Sequence, residues 1–498
     1  MKLQNISPVF VLAVAITTSL AVEVKVESSI YKAIEDTGKA NIFVSFKKND
    51  IHNIRNQITV QTHVTRGDRI NSLQEALKSH ADTTQAGVLK AINSYRPLQA
   101  NPTVKISSFW ITNQVYIRHV DRELLEQLST LDDISEITQE QVYTIDNPLG
   151  DSTEVRNSSA EPKWGVAAIR APEVWASGNT GSGVVVATID TGVRGTHEAL
   201  RGGFRKEYGW FDPIEATLEP TDDNGHGTHA TGTIVGRTNG IGVAPGAQWI
   251  ACKGCDYKGQ CYQSDIIDCA QFVVCPTDAN GSFNCSLAPH IVSNSWSSSN
   301  ENYVNDGIIS MFETAEIAVI FAIGNSGPRC RTVSSPGTHP YVISVGAVDS
   351  NTAVADYSSR GPSSINVSPQ PDVAAPGSNI LSALFSGDTI YGEKSGTSMA
   401  TPHVAGLVAL LKSQNMSLTV SEIRRLIKAG AQPIKGSAEP CGGIENKNYP
   451  NNAVGYGMVD APKTIAGSAS LNAQVLLKHH EFVAFSLLIF GSLKFLSF

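Results

Sequence analysis

The pattern of apolar and polar positions divides the chain into two parts that predict different folds. In the first part, residues 41–46 are predicted to form a strand, and apolar side chains at helical spacing predict a helix over 68–95. Residues 104–119 alternate like a pair of strands, a short helix with one leucine face follows, and 134–143 return as a strand. These elements predict a small α+β unit that ends near Ile145.

A polar connector separates this unit from a longer second part. Residues 146–162 read DNPLGDSTEVRNSSAEP and carry almost no large apolar side chain, which is typical of an exposed linker that proteases cut. Beyond it, short apolar runs alternate with helical patterns and glycine turns. These runs are residues 184–189, 249–251, 290–293, 318–322 and 341–345. Buried strands separated by helices predict an α/β fold, with a parallel sheet covered by helices on both faces.

The two ends of the chain carry patterns of their own. Lys2 and the uncharged apolar stretch that follows are typical of a secretory signal peptide over 1–21, with a membrane anchor as the alternative. Small residues, a polar spacer and an apolar tail over 466–498 fit a glycosylphosphatidylinositol (GPI) attachment signal near Gly467 or Ser468. The first end predicts a secreted or extracellular protein. The second leaves open a GPI anchor, a transmembrane helix or neither.

Charge and cysteine content narrow the classes of function. A formal net charge of -8 without any basic run offers no surface for phosphate backbones, so we expect no nucleic-acid partner. All eight cysteines lie between Cys252 and Cys441, and an even number in an exported chain predicts disulfides, whose pairing stays open. Zinc binding or redox chemistry at Cys252 and Cys255 is the alternative.

Three segments of the second part place a reactive side chain at the end of a strand or the start of a helix. In GVVVATIDTGV, a buried strand ends in Asp190, for which a structural carboxylate is the alternative. In DDNGHGTHATGT, His226 stands among small residues at a helix start, and a metal site with His229 is the alternative. In SGTSMATPHVAG, Ser398 opens a helix whose first amides are unsatisfied, and a plain N-cap serine is the alternative.

Acid, base and nucleophile together are the complete set for acyl transfer, which favours the catalytic interpretation of all three segments. The segments resemble the signature blocks of the subtilisin-like serine proteases, and the resemblance runs through most of residues 164–462. The order Asp, His, Ser is that of subtilisin and differs from the orders in chymotrypsin-like enzymes and α/β-hydrolases. A lipase or esterase is therefore disfavoured.

The resemblance implies a role for each of these residues. Ser398 would attack the scissile carbonyl, His226 would move the proton to the leaving amine, and Asp190 would orient the imidazole. Asn325, in FAIGNSGP, matches the side chain that helps to hold the oxyanion, with a turn asparagine as the alternative. Substrate binding is implied for an edge strand that pairs with an extended peptide and for a side-chain pocket. The strand residues are Ser295, Trp296 and Ser297, and the pocket residues are Ala322, Ile323 and Gly324.

The resemblance also implies how the chain is organised. The first part resembles an inhibitory prodomain, so we expect a signal peptide over 1–21, a propeptide over 22–145, a linker over 146–162, a catalytic domain over 163–465 and an anchor signal over 466–498. Cleavage is predicted between Tyr143 and Lys163. No cofactor is expected for the chemistry, no metal ligands can be assigned, and structural calcium is an expectation from the family alone.

The predicted function is that of a secreted serine endopeptidase made as a zymogen. Its expected partners are polypeptide substrates and its own propeptide, which acts as an intramolecular inhibitor. The alternative is a catalytically inactive, surface-displayed protein that keeps the subtilisin-like fold for binding.

Overall fold

The computed structural model describes residues 24–95, 105–145, 154–155, 161–298, 306–434, 440–445 and 447–469. The predicted signal peptide, most of the predicted linker and residues 470–498 of the predicted anchor lie outside these ranges. Within them, no helix combines the length and the apolar character needed to cross a bilayer.

The first body, over residues 24–145, is a five-stranded sheet with helices. Its strands are Lys25–Val26 (β1), Ala40–Phe46 (β2), Ile106–Phe109 (β3), Gln114–Val120 (β4) and Ile134–Gln139 (β5), in the order β1-β5-β2-β4-β3. Its helices are Ser28–Thr37 (α1), Ile51–Val60 (α2), Arg66–Ser94 (α3) and Arg122–Ser129 (α4). All the pairings are antiparallel except that of β1 with β5.

Local sequence signals explain where these helices begin. Thr65 accepts a hydrogen bond from the backbone N–H of Asp68, and the Asp68 carboxylate accepts one from the backbone N–H of Thr65, which forms a capping box for α3. At α4, Asp121 accepts from the backbone N–H of Leu124 at 3.0 Å. The apolar face of α4 is buried against the sheet through Leu124, Leu125 and Leu128.

The strand predicted over 134–143 is two strands in different sheets, β5 and Val142–Ile145 (β6). Between them, the carboxylate of Glu140 accepts hydrogen bonds from the hydroxyl of Ser264 at 2.6 Å and from its backbone N–H at 3.3 Å. Because Ser264 belongs to the second body, this contact takes the chain out of the first sheet. The prediction of one continuous strand was wrong at this point.

The second body contains a seven-stranded parallel sheet, which confirms the predicted α/β fold. Its strands are Val185–Asp190 (β8), Trp210–Phe211 (β9), Gln248–Lys253 (β10), Ile291–Asn294 (β12), Ala318–Ala322 (β14), Ile343–Val348 (β15) and Val373–Pro376 (β16). Their order across the sheet is β16-β15-β14-β12-β8-β10-β9.

Helices cover both faces of this sheet. They are Trp164–Ala168 (α5), Ala171–Trp175 (α6), His226–Val235 (α7), Gln263–Val274 (α8), Asp306–Thr314 (α9), Thr397–Gln414 (α10) and Val420–Gly430 (α11). Side chains alternate along each strand, so Val186 and Ile320 pack in one apolar cluster with α7, α10 and α11. Ala187 and Val319 point the other way, into a second cluster with α8 and α9.

Two small antiparallel sheets lie beside the large one. Their remaining strands are Glu154–Val155 (β7), Gln260–Tyr262 (β11), Trp296–Ser297 (β13), Ile380–Ala383 (β17) and Tyr391–Lys394 (β18). One sheet has the order β11-β6-β13, and the other has the order β17-β18-β7. The first of these joins a strand of the first body to two strands of the second.

All eight cysteines form disulfides, which confirms that prediction. The pairs are Cys252–Cys269, Cys255–Cys261, Cys275–Cys285 and Cys330–Cys441. The two cysteines of the predicted zinc or redox alternative, Cys252 and Cys255, therefore belong to different bridges. The alternative is wrong because each sulfur already has a cysteine partner.

Candidate active site

The sequence-predicted site residues meet at one edge of the parallel sheet. Asp190 is the last residue of β8, Ser295 directly follows β12, and Asn325 lies three residues after β14. Since parallel strands end at the same edge, their loops converge there, as they do in the ligand crevices of open α/β sheets. The fold thus brings side chains together that lie more than 100 residues apart in sequence.

Asp190 and His226 form a buried pair. The Nδ1 atom of His226 lies 2.8 Å from Oδ1 of Asp190, which also accepts the backbone N–H of Thr191 at 2.7 Å. This close approach requires glycine at position 227, because a Cβ there would lie 2.2 Å from the carbonyl oxygen of Gly192. With Nδ1 engaged, Nε2 of His226 makes no hydrogen bond to any described residue.

A second carboxylate, Asp222, ties the loop after the acid to the start of α7. It accepts hydrogen bonds from Thr191 Oγ1 at 2.9 Å and from the backbone N–H groups of Gly225 at 2.7 Å and Thr228 at 2.9 Å. Burial raises the pKa of Asp222, while the hydrogen bonds from Thr228 and Gly225 oppose the rise. Asp222 therefore fixes the position of the histidine relative to the acid.

Ser398 is the second residue of α10, where backbone amides have no partner within the helix. Its Oγ lies 3.4 Å from the carbonyl oxygen of Ser295, and the Ser295 hydroxyl donates to the carbonyl of Ser398 at 3.3 Å. Helix α10 packs against α7, and a Cβ on Gly406 would lie 3.4 Å from the carbonyl oxygen of Ile234. Ser398 and His226 thus stand at the first turns of two adjacent helices, without a hydrogen bond between Ser398 and Nε2 of His226.

The two ends of the Asn325 side-chain amide differ in their hydrogen bonding. Its Oδ1 accepts the backbone N–H of Thr397 at 2.8 Å and the Thr397 hydroxyl at 2.9 Å. These bonds fix the amide orientation, and Nδ2 is buried without an acceptor in the described part of the chain. A buried unpaired donor is costly, so its presence beside Ser398 calls for a functional reason.

The predicted peptide-binding strand is paired with the first body. In β13, Trp296 lies opposite Ile145 and Ser297 opposite Thr144. On its other side β6 pairs with β11, and the N–H of Ile145 donates to the carbonyl of Gly259 at 3.0 Å. An extended segment of the first body thus lies between two strands of the second.

The large side chain of Trp296 is buried beneath this strand. Its Nε1 donates to the carbonyl of Ile189 at 3.1 Å, and its ring packs at 5.3 Å from Tyr143 and 4.9 Å from Phe321, measured between centroids. The indole therefore forms a floor for whatever side chain stands at the position of Tyr143.

The predicted pocket segment is also buried. Ala322 ends β14, and the N–H of Ile323 donates to Val345 O at 3.1 Å. Gly324 has a φ of 108°, and a Cβ there would lie 2.4 Å from Ser334 Oγ, so only glycine fits. These contacts fix the backbone of the segment, while the roles of its residues in substrate binding stay predictions.

The other histidine of the motif, His229, is a core residue. Its Nε2 lies 2.9 Å from Ile380 O and 3.1 Å from Gly392 O, and burial holds its pKa well below the ordinary value. Nδ1 of His229 is buried and makes no hydrogen bond to a described residue, and Nδ1 of His226 is engaged by Asp190. The metal alternative for His226 and His229 is disfavoured, because no third ligand joins them among the described residues. In the ranges that the structure describes, no three His, Cys, Asp or Glu side chains form a metal-binding group, and calcium stays an untested expectation.

Two residues of the site escaped sequence reasoning. Asp222 lies four residues before His226, and Thr397 directly precedes Ser398, so both are inside segments that the motifs cover. Their polar side chains at the start of a helix are the only signal for them. That signal is equally typical of ordinary helix caps.

Comparison with known proteins identifies the family of the chain. The sequence profile of the Subtilase family matches residues 181–457. Over 479 residues, the chain is 31% identical to Bacillopeptidase F of Bacillus subtilis (strain 168), and the match covers 89% of this chain but only 32% of that protein. The chain therefore spans about a third of the length of that relative.

Two shorter relatives are matched over a larger share of their length. Serine protease AprX of the same organism is 34% identical over 329 residues, which cover 60% of this chain and 70% of AprX. Subtilisin E, also from B. subtilis, is 36% identical over 275 residues, 54% of this chain and 65% of that protein. The family profile and these relatives agree, and the chain belongs to the subtilase family of serine peptidases.

Proposed function

We propose that this chain is the precursor of a secreted serine endopeptidase with Asp190, His226 and Ser398 as its catalytic triad. The observation that carries the proposal is the 2.8 Å contact between Asp190 and Nδ1 of His226, which leaves Nε2 unpaired at the site where Ser398 lies in the first turn of α10. A buried imidazole with one nitrogen fixed by a carboxylate and the other available is what a general base needs.

In the proposed reaction, Nε2 of His226 takes the proton from Ser398 Oγ as that oxygen attacks the scissile carbonyl. The C–N bond breaks, His226 gives the proton to the leaving amine, and an acyl-enzyme ester remains on Ser398. A water molecule then releases the acid by the same proton path. Ser398 Oγ lies near Ser295 O and makes no hydrogen bond to Nε2 of His226. A hydrogen bond between a nucleophile and its general base often tightens only when substrate is bound.

Asn325 and the backbone N–H of Ser398 are proposed to hold the oxyanion. The Nδ2 atom of Asn325 is the one unpaired group of an amide whose other end is fixed by Thr397. A donor that is fixed before the reaction costs no reorganisation when charge develops on the carbonyl oxygen. This geometry supports an acyl-transfer role better than that of a turn asparagine.

Substrate is proposed to bind as an extended strand between β11 and β13, where β6 now lies. Ser295 to Ser297 would supply one set of backbone partners, and residues 322–324 would line a pocket beside them. In this arrangement the first body is an inhibitor of its own protease. Ser398 is 1% exposed and His226 fully buried, which supports a precursor whose first body must leave before substrate can enter.

Export and processing complete the proposal. The signal peptide over 1–21 and cleavage between Tyr143 and Lys163 follow from the sequence, and the bond to be cut lies beyond the end of β6 at Ile145. Attachment by a GPI anchor through 466–498 stays a prediction, and most of that segment lies outside the described residues.

Labelling with a fluorophosphonate probe tests the triad directly. The wild-type chain should react with the probe and cleave a peptide library, while Ser398→Ala should do neither and should accumulate uncut. Ser413→Ala is the matched control, because Ser413 lies at the far end of the same helix with its hydroxyl bound to Ser182 O. A wild-type chain that binds peptides but neither cleaves nor reacts would favour the inactive binding protein.

A further inference from the structure

The first body contacts the second at a place outside the candidate active site. Helices α2 and α3 pack against the second body through Ile58 and Ile70, which share one apolar cluster with Ile308 and Phe312 of α9. The same apolar cluster continues to Tyr143 and Ile145 of β6, but the hydrogen bonds at this end of the interface involve neither β6 nor the strands that flank it. The first body is therefore held by polar contacts outside β6 as well as by β6 itself.

Arg66 forms three hydrogen bonds to the second body in this part of the interface. Its Nε donates to Ala315 O at 3.0 Å, one Nη donates to Ala288 O at 3.1 Å, and the other donates to Pro289 O at 2.6 Å. Three backbone carbonyls of the second body thus converge on one guanidinium. The planar group, with five N–H donors in fixed directions, is the side chain that can satisfy three acceptors at once.

The electrostatics of this carbonyl cradle favour a cation. Ala315 directly follows α9, so the carbonyl that accepts from Nε of Arg66 lies at the negative end of that helix. Ala288 directly follows the short 3₁₀ helix Cys285–Leu287. Glu316 adds a negative charge, and its carboxylate lies 3.5 Å from Arg69. Burial lowers the pKa of Arg66 to about 10, Glu316 opposes the shift, and the group stays charged at neutral pH.

The backbone at the start of α3 also fits closely against the second body. A Cβ on Gly67 would lie 2.6 Å from Ser286 Oγ, so glycine allows the helix to approach the 3₁₀ helix. Nearby, Nε of Arg55 donates to Thr314 Oγ1 at 3.0 Å. These contacts fix the position of the first turn of α3, and therefore of Arg66, against the second body.

We infer that the carbonyls of Ala288, Pro289 and Ala315 form an arginine-binding exosite, which holds the first body independently of β6 and keeps it bound after the connector is cut. The inference rests on the proposed precursor function, but binding of the first body at these carbonyls can be measured in a chain without catalytic activity. When one contact holds the first body, the other contact forms at a high effective concentration. Loss of one contact therefore weakens the binding of the first body without abolishing it.

The test uses the full chain with Ser398→Ala, which cannot cut itself, and with the recognition sequence of an unrelated site-specific protease inserted in the connector 146–162. After the added protease has cut the connector, size-exclusion chromatography and a dissociation time course follow the two bodies. Arg66→Ala should raise the dissociation rate about 10- to 100-fold, because it removes three charge-assisted hydrogen bonds. Arg66→Lys should fall between this variant and the wild-type sequence.

Lys78→Ala is the matched control. Lys78 lies on the same helix but is exposed, and among the described residues its one ion pair is with Asp82, so its loss should leave the dissociation rate unchanged. If Arg66→Ala folds poorly, N-acetylarginine amide at millimolar concentration supplies a second measurement, since it should speed release from the wild-type sequence and N-acetyllysine amide should not. Equal rates for Arg66→Ala and Lys78→Ala, or equal effects of the two amides, would overturn the inference. Because Ser398 is absent throughout, failure of the triad proposal appears only in the labelling experiment.

Discussion

The amide of Asn325 offers a test in which two substitutions are expected to rank in opposite orders. Asn325→Ala removes the Nδ2 donor and also leaves the N–H and hydroxyl of Thr397 without their acceptor. Asn325→Asp keeps an acceptor for Thr397 but replaces the donor by a negative charge. The first variant should therefore lose stability, and the second should lose more activity.

The magnitudes follow from these contacts. Loss of one oxyanion donor costs about 10²- to 10³-fold in kcat, or about 2.7 to 4 kcal/mol, as measured for a subtilisin. A carboxylate about 4 Å from the developing oxyanion adds a repulsion of about 4 kcal/mol at an effective dielectric constant of about 20. Asn325→Asp should thus turn over even more slowly than Asn325→Ala. Conversely, two orphaned donors should cost Asn325→Ala about 1 to 3 kcal/mol in the free energy of unfolding.

The assay is turnover of a chromogenic peptide, with the concentration of active sites set by fluorophosphonate titration, alongside denaturant unfolding of each variant. KM should change little, because the donor acts on the transition state and not on the bound substrate. If Asn325 were only a turn residue held by Thr397, Asn325→Asp would stay active and Asn325→Ala would be the worse enzyme. A kcat for Asn325→Asp within about threefold of the wild-type value would refute the oxyanion role.

Three further predictions concern stability, each measured in an inactive background to prevent self-digestion. Asp222→Ala leaves five hydrogen bonds without their acceptor and should lower the free energy of unfolding by about 2 to 4 kcal/mol; an unchanged melting curve would contradict this. Replacing Cys330 and Cys441 by serine opens a loop of 111 residues and should lower the free energy of unfolding in denaturant by about 4 to 5 kcal/mol; an unchanged free energy would contradict this. Burial, opposed by Lys105, raises the pKa of Asp265 from 3.8 to about 6, so its contribution to stability is present below pH 4 and is lost as pH rises through 6. Asp265→Asn, neutral at every pH, should therefore be more stable than the wild type by up to about 3 kcal/mol at pH 7.5 and equal to it at pH 4; a constant difference would show that Asp265 does not titrate in this range.

The fold class could be predicted because it depends on a repeated local pattern. Buried apolar runs such as 318–322 match β14 to the residue, since a strand covered on both faces must be apolar throughout. Helix α2 gave no such signal, because its ten residues include only one that is buried. The break between β5 and β6 was equally invisible, since the cause is Ser264, more than a hundred positions away from Glu140.

The candidate site was predictable in its residue types and not in its geometry. The motifs pointed to Asp190, His226 and Ser398, but nothing in the sequence says that Asn325 keeps one amide end unpaired. That property arises from Thr397, which reaches Asn325 across a separation of 72 residues. The pairing of the cysteines had to stay open for the same reason, because proximity in the fold decides it and sequence spacing does not.

If substrate takes the place of β6, as proposed above, the slot between β11 and β13 sets a condition on the shape of the chain that is cut. Both neighbours of β6 bind it through backbone groups, so an incoming chain must present about four consecutive residues, the length of β6, without secondary structure of its own. A residue within a stable helix meets this condition only after the helix has locally unfolded. The rate at which a folded protein is cleaved at a given segment should then depend more on the free energy of local unfolding of that segment than on the sequence of the segment. Loops, frayed ends and unfolded chains would be cleaved first, and compact domains would resist cleavage.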